Sequence, residues 1–226
     1  MDYYKELKQQ EILSHVDHTN LKQTATATDI ITLCQEGLAA GVASVCLPPC
    51  FVALAAHYLS GRLPVCTVIG FPNGYQTTKT KLVETEDALK NGATEIDMVI
   101  PIGRLKENSQ KANEQISEEI RLIKEICGHH ILKVIVETCF LTEEEKIRIC
   151  QIVSDSPADF IKTSTGFGIA GAVLADVMLF RKWIRPDLQI KAAGGIGDWA
   201  AAAAFLQAGC QRLGSSNLVK LARKPV

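Results

Sequence analysis

Short apolar runs of strand length alternate with longer stretches of helical period along the whole 226-residue chain. The apolar runs fall at residues 12–16, 42–47, 64–69, 95–100, 132–136, 159–161, 188–190 and 211–213. Bounded by Gly, Pro and polar clusters, they read as buried strands. Between them, apolar residues recurring every three or four positions predict helices over 28–39, 50–59, 77–90, 109–126, 142–153, 172–183 and 199–207. A last short helix is expected at 217–221. Gly41, Gly92, Gly128 and Gly209 each fall just past a helical stretch, where a left-handed cap residue is wanted. Thr142 before Glu143-Glu144-Glu145 reads as an N-cap with an acidic first turn, which serves stability rather than catalysis.

Eight β/α units define an α/β chain and fit a closed (β/α)8 TIM barrel, although that architecture more typically takes about 250 residues. A doubly wound open sheet would give the same alternation. No glycine-rich turn follows the first strand, and eight is the number of strands that closes, so the barrel is favoured. The expectation is a single barrel domain over 1–226. Residues 1–11 would form an amphipathic helix capping it, with Tyr3, Tyr4 and Leu7 available to pack.

Strand parity then exposes an anomaly. Side chains at i and i+2 share a face. Lys162 therefore faces with Phe160, Lys191 with Gln189, Asp97 with Glu95 and Val99, and Glu137 with Lys133 and Ile135. Asp17, just past the first strand, is placed to join them. Barrel interiors are normally packed with branched apolar side chains, so these charges must pair, meet a ligand or reach water.

Lys162 and Lys191 are the most informative of the set. Each ends an apolar run that small residues follow at once, in Lys162-Thr163-Ser164-Thr165-Gly166 and Lys191-Ala192-Ala193-Gly194-Gly195. A free lysine, with a pKa of about 10.4, is neutral in about one molecule in 2,500 at pH 7, and bringing it near neutrality takes about 4 kcal/mol. One like charge roughly 4.5 Å away, at an effective dielectric of about 20, supplies about that much. Neighbouring strands lie about 4.8 Å apart. The pair therefore suggests Schiff-base chemistry, with Lys162 as nucleophile and Lys191 as the charge that activates it. Asp97, on a third strand of the same interior, could bridge the two amines and relay protons. It could equally serve only to neutralise Lys191.

Glycine-rich segments cluster at one corner of such a barrel. Thr165-Gly166 follow the sixth strand, Gly194-Gly195 the seventh and Gly214-Ser215-Ser216 the eighth. Loops after strands seven and eight commonly hold phosphate in barrels. Composition narrows the classes. With 24 basic against 25 acidic residues the net charge is −1, which offers nothing to nucleic acid. No apolar run is long enough for a membrane span, and the charged start lacks the apolar core of a secretory signal. The eight cysteines are scattered over strands and helices without a staple framework, so reduced thiols in a cytoplasmic protein are expected. The five histidines form no ligand-spaced cluster.

These residues carry a family resemblance. Lys162-Thr163-Ser164-Thr165-Gly166-Phe167 and Gly92-Ala93-Thr94-Glu95-Ile96-Asp97-Met98-Val99-Ile100 resemble deoxyribose-phosphate aldolase. So do Val16-Asp17-His18-Thr19, Ser44-Val45-Cys46, Leu132-Lys133-Val134-Ile135-Val136-Glu137-Thr138 and Ala193-Gly194-Gly195-Ile196, in the expected order over most of the chain. The resemblance implies a class I aldolase on a (β/α)8 barrel, without metal or organic cofactor. Such an enzyme reversibly cleaves 2-deoxy-D-ribose 5-phosphate to acetaldehyde and D-glyceraldehyde 3-phosphate, in deoxyribonucleoside catabolism. By similarity Lys162 forms the Schiff base, Asp97 handles protons and Lys191 tunes the nucleophile. Asp17, Thr19, Cys46 and Thr165 would line the substrate pocket, with Gly166, Gly194, Gly195, Ser215 and Ser216 at the phosphate. The implied partners are small aldehydes and sugar phosphates, with assembly as a homodimer or higher homo-oligomer.

Some positions depart from the family pattern. Phe167 stands where some members carry a lysine near the phosphate, and Gly197-Asp198 where an arginine often follows. Losing one such cation weakens phosphate binding by about 1.5–3 kcal/mol. Modest selectivity for the phosphorylated sugar is therefore expected. Two other readings compete: a different Schiff-base barrel, such as a transaldolase, and a barrel that binds a sugar phosphate without turning it over.

Overall fold

The computed structural model describes residues 8–223. Eight parallel strands close into a barrel in sequence order. They are β1 (Val16–Thr19), β2 (Ser44–Leu47), β3 (Val65–Ile69), β4 (Glu95–Val99), β5 (Ile131–Ile135), β6 (Phe160–Lys162), β7 (Gln189–Ala193) and β8 (Arg212–Ser215). The helices around them are α1 (Gln9–Leu13), α2 (Ala27–Ala40), α3 (Val52–Leu59), α4 (Thr78–Lys90), α5 (Ile102–Lys106), α6 (Gln110–Cys127), α7 (Glu143–Ser154), α8 (Leu174–Trp183), α9 (Trp199–Gln207) and α10 (Leu218–Ala222). The barrel and its alternation are as the apolar pattern predicts, and the four cap glycines all have positive φ.

The apolar core lies between the strands and the helices. Ile96 and Met98 of β4 point outward into it, and Ile116, Ile120 and Ile123 of α6 meet the sheet on one buried face. Burying one such side chain contributes about 1.5–3 kcal/mol, which makes this layer the main source of stability. A buried ion pair pins α4 to α6, Lys81 Nζ to Glu119 Oε1 at 2.6 Å. The same ammonium donates to the Val99 carbonyl at 2.8 Å and so fixes the end of β4.

One local expectation needs correction. The first strand is not 12–16: Ile12 and Leu13 belong to α1, whose apolar side packs on α9 and α10, and the strand begins at Val16. Its polar residues Asp17 and His18 are buried because partners inside the fold compensate them. The helix expected over 1–11 is described only from Gln9, and Tyr3, Tyr4 and Leu7 lie outside the described residues. α5, a single turn after Pro101, has no counterpart in the periodicity.

Candidate active site

The barrel interior is polar, and its charges form a closed circuit. Asp97 on β4 receives Lys191 Nζ on Oδ2 at 2.6 Å and Lys133 Nζ on Oδ1 at 2.9 Å. Lys133 also reaches Glu95 Oε2 at 2.5 Å. Glu95 receives Arg212 Nη1 at 2.9 Å, and Arg212 reaches Asp17 Oδ1 at 2.5 Å. Asp17 closes the loop through an ion pair with Lys191. Three carboxylates and three cations thus alternate around a ring, Asp17, Lys191, Asp97, Lys133, Glu95, Arg212, in which each member touches at least two of opposite sign and Lys133 also reaches across to Asp17 Oδ2 at 3.9 Å. Phe160 lies against the ring, with Lys133 Nζ and the Arg212 guanidinium 5.9 and 5.7 Å from its ring centroid.

Lys162 is the fourth cation, outside this balance. It is paired directly with Lys191 in the β6–β7 ladder, so both point inward, as strand parity requires. Its Nζ donates to Asp97 Oδ2 at 2.7 Å, its single ion pair among the described residues. The other face of Lys162 opens on a cavity of about 440 Å³ at the C-terminal end of the barrel. The ring balances its own charges, three against three, and Lys162 is a cation added to it.

The ring fixes protonation as well as position. Burial alone would push the Asp17 carboxyl up, but Lys191, Lys133 and Arg212 outweigh it and hold the group below the usual carboxylate range. Asp97 is likewise held well below that range, burial being outweighed by Lys133, Lys162 and Lys191. Burial opposes the charge on Lys191, yet Asp17 and Asp97 raise its pKa, and Lys133 is raised in the same way by Asp97, Cys66 and Glu95. Lys191 thus sits between two carboxylates, Asp17 and Asp97, both within ion-pair distance.

Small residues make room for this arrangement. A Cβ on Gly214 would lie 2.9 Å from Ala193 Cβ and 3.4 Å from Lys191 Cε, so glycine there keeps the path of the lysine open. A Cβ on Gly194 would meet Gly171 Cα at 2.9 Å, at a φ of 84° that disfavours other residues. Glu137, expected from parity to face inward, lies past the end of β5 with a left-handed backbone (φ 51°) and stays out of the ring. It accepts the Thr165 N–H at 3.1 Å and the Thr165 hydroxyl, which braces the loop after β6.

The cavity is lined by Lys162 and by Thr19, Thr165, Gly166, Gly194, Gly195, Ser215 and Ser216, which are thereby brought together as expected. Asp17 and Cys46 are not in its wall. Asp17 lies beneath it because Arg212, Lys191 and the Ser44 hydroxyl, at 2.7 Å, occupy its oxygens. Cys46 is buried in a small cluster with Cys66 and Val68, beside Leu21 and Phe71. Cys66 donates to Asp97 Oδ1 at 3.2 Å.

Sequence reasoning missed Arg212 altogether, gave Lys133 no role, and overlooked Lys22, which lines the cavity from the loop after β1. The signal for the first two was parity: Arg212 and Lys133 sit where an inward-facing residue must. Phe167 lies at the mouth with its ring edge-on to Phe71 at 5.2 Å. Asp198 is turned away: its carboxylate caps α9, accepting from Ala201 N at 2.8 Å. Cys46, Cys66 and Asp97, and likewise Asp17, Cys66 and Glu95, lie close enough to share an ion. Their carboxylates are already saturated by ammonium and guanidinium groups, so a metal would have to displace built-in cations.

Fold and site together define a (β/α)8 enzyme with its chemistry at the C-terminal mouth. The sequence pattern described as DeoC/LacD family aldolase matches residues 12–209, and the chain belongs to that family of carbon–carbon lyases. It is 50% identical over 211 residues to the deoxyribose-phosphate aldolase of Clostridium botulinum (strain Alaska E43 / Type E3), covering 93% of this chain and 94% of that protein. It is 51% identical over 213 residues to the deoxyribose-phosphate aldolase of Streptococcus pyogenes serotype M4, covering 94% of each. The tetrameric deoxyribose phosphate aldolase from Aeropyrum pernix superposes with a TM-score of 0.85 at 27% identity, over 94% of this chain and 90% of that one.

Proposed function

We propose that the protein reversibly cleaves 2-deoxy-D-ribose 5-phosphate to acetaldehyde and D-glyceraldehyde 3-phosphate through a Schiff base on Lys162. The observation that carries this reading is the surplus amine: Lys162 alone among the interior cations faces the cavity and stands outside the charge-balanced ring. Its neutral form costs the ring no ion pair that the ring needs.

In the cleavage direction the Lys162 nitrogen adds to C1 of the open-chain sugar, and the carbinolamine loses water to give an iminium ion. Removal of the C3 hydroxyl proton breaks the C2–C3 bond, and the electron pair passes into the iminium to form an enamine. D-glyceraldehyde 3-phosphate leaves. Protonation at C2 and addition of water then release acetaldehyde and the free amine. Asp97 Oδ2, 2.7 Å from Lys162 Nζ, is within the reach a general base needs and accepts the proton as the amine is freed. Lys191, on the same oxygen at 2.6 Å, holds that carboxylate in place and is the nearest proton donor behind it. Thr165 and Thr19 contact the sugar, while the backbone of Gly166, Gly194 and Gly195 with Ser215 and Ser216 receives the phosphate.

Setting belongs to the same proposal: a cytoplasmic enzyme of deoxyribonucleoside catabolism that works as a homo-oligomer. All eight cysteines are unpaired, which suits a reducing compartment. Among the described residues no helix is long and apolar enough to cross a membrane. The exposed Ile169, Leu174 and Met178 in and just before α8 offer apolar area to a second copy. The test is a steady-state assay with 2-deoxy-D-ribose 5-phosphate beside other sugar phosphates. Acetaldehyde release from the deoxy sugar alone is expected; equal or better turnover of a ketose phosphate would move the protein to another carbon–carbon lyase activity.

A further inference from the structure

We propose that Lys22 is the side chain that selects the phosphorylated substrate, supplying the charge that Phe167 and Gly197 do not. The inference rests on the reading above that the cavity takes a sugar phosphate. Among the residues lining that cavity only Lys22 and Lys162 carry a charge, and none is acidic. Lys162 is committed to the carbonyl end of the substrate. Lys22 is the one cation left for the dianion at the other end.

Its place in the fold suits that role. β1 is hydrogen-bonded to β8 in the closed barrel, with His18 opposite Ser215, so the loop after β1 borders the loop after β8. Lys22 thus shares the cavity wall with Ser216 and Asn217. Its backbone is fixed while its side chain is exposed. Asn20 N donates to the Cys46 carbonyl at 2.9 Å, Lys22 N to Asn20 Oδ1 at 3.3 Å, and Ala25 N to the Lys22 carbonyl at 3.0 Å. No ion pair engages the ammonium among the described residues. Asp29, an acid at the start of α2, is occupied by the Thr26 cap, accepting from its N–H at 2.8 Å and its hydroxyl at 2.6 Å. Across the corner, Asn217 Nδ2 donates to the Gly197 carbonyl at 2.7 Å, which ties the two phosphate-side loops together without adding charge. The Lys22 ammonium, without an ion pair and on a pinned loop, borders glycine and serine on the side of this cavity and the acids Asp29, Glu36 and Glu84 on its other sides, so within the cavity it favours an anion with several acceptor oxygens. Selectivity for the phosphorylated sugar is then higher than the missing arginine and lysine suggest, and it depends on one residue of a different loop.

The experiment compares wild type with Lys22→Gln and Lys22→Arg on 2-deoxy-D-ribose 5-phosphate and on unphosphorylated 2-deoxy-D-ribose. For Lys22→Gln, kcat/KM on the phosphate should fall about 10- to 100-fold, mainly through KM, as expected for loss of one charge-assisted hydrogen bond. On the unphosphorylated sugar it should change less than about threefold, and Lys22→Arg should restore most of the loss. Equal losses on both sugars, or none on the phosphate, would overturn the assignment. A calorimetric titration with inorganic phosphate keeps the two readings apart. If wild type cleaves neither sugar, the aldolase proposal fails, yet weaker phosphate binding by Lys22→Gln still supports the role of Lys22, and unchanged binding refutes it.

Discussion

At the scale of the residue, the decisive feature is a ring of alternating charges with one amine left over. Buried ion pairs contribute little net stability when complete, because desolvation offsets the attraction, but removing one member strands its partners. Asp17 shows this most clearly. It pairs with Arg212 and Lys191 and lies 3.9 Å from Lys133, so its loss leaves Arg212 with Glu95 alone and Lys191 with Asp97 alone. Asp17→Asn should keep the bond from Ser44 and the side-chain volume, yet lower stability by about 3–5 kcal/mol, read from denaturant or thermal unfolding. A loss below about 1 kcal/mol would show that the ring is not the interior's charge balance. The interior charges Asp97, Glu95, Lys133, Glu137, Lys162 and Lys191 were legible beforehand from strand parity, with Asp17 placed to join them. The ring was not. Its bonds run from β1 to β7 and from β4 to β8, between strands that are not hydrogen-bonded neighbours, and no local pattern records which charge meets which across a barrel.

At the scale of the element, the errors share a physical cause. The apolar signal misplaced β1 and stopped β7 early because hydrophobicity marks residues that water would disfavour, whereas these strands carry buried charge within them, Asp17 in β1 and Lys191 in β7. Val16-Asp17-His18-Thr19 looks like a loop until its partners are known. The apolar run 188–190 puts Lys191 at the tip of β7, while the strand runs on through Lys191 to Ala193, with Lys191 paired to Asp17 and Asp97. Helices were read more closely, because their signals are local. The Thr142 cap and α7 fall within a residue or so of expectation, with Thr142 and Glu145 forming a reciprocal capping box. Asp198, next to Gly197 where an arginine often stands, is the N-cap of α9.

At the scale of the whole molecule, an apolar shell holds a charged interior, and the interior sets the pH limits of the fold. Asp17 and Asp97 have folded pKa values below their unfolded ones, so their contribution is present above about pH 3.9 and is lost as pH falls through the folded values. Lys133 and Lys191 are raised, so theirs is present below about pH 10.4 and is lost as pH rises through the folded values. Unfolding midpoints should therefore form a broad plateau, declining below about pH 4 and above about pH 10. A steady slope across neutral pH would contradict it. Closure of the sheet is what lets this work, since a ring can be completed only if β8 returns to β1.

The account stands or falls on which amine the ring leaves available. Reduction with borohydride in the presence of acetaldehyde, followed by peptide mapping, reads this directly. A two-carbon adduct on Lys162, with Lys133 and Lys191 unmodified, is the result the ring requires. An adduct on Lys191 or Lys133, or on no interior lysine, would contradict it.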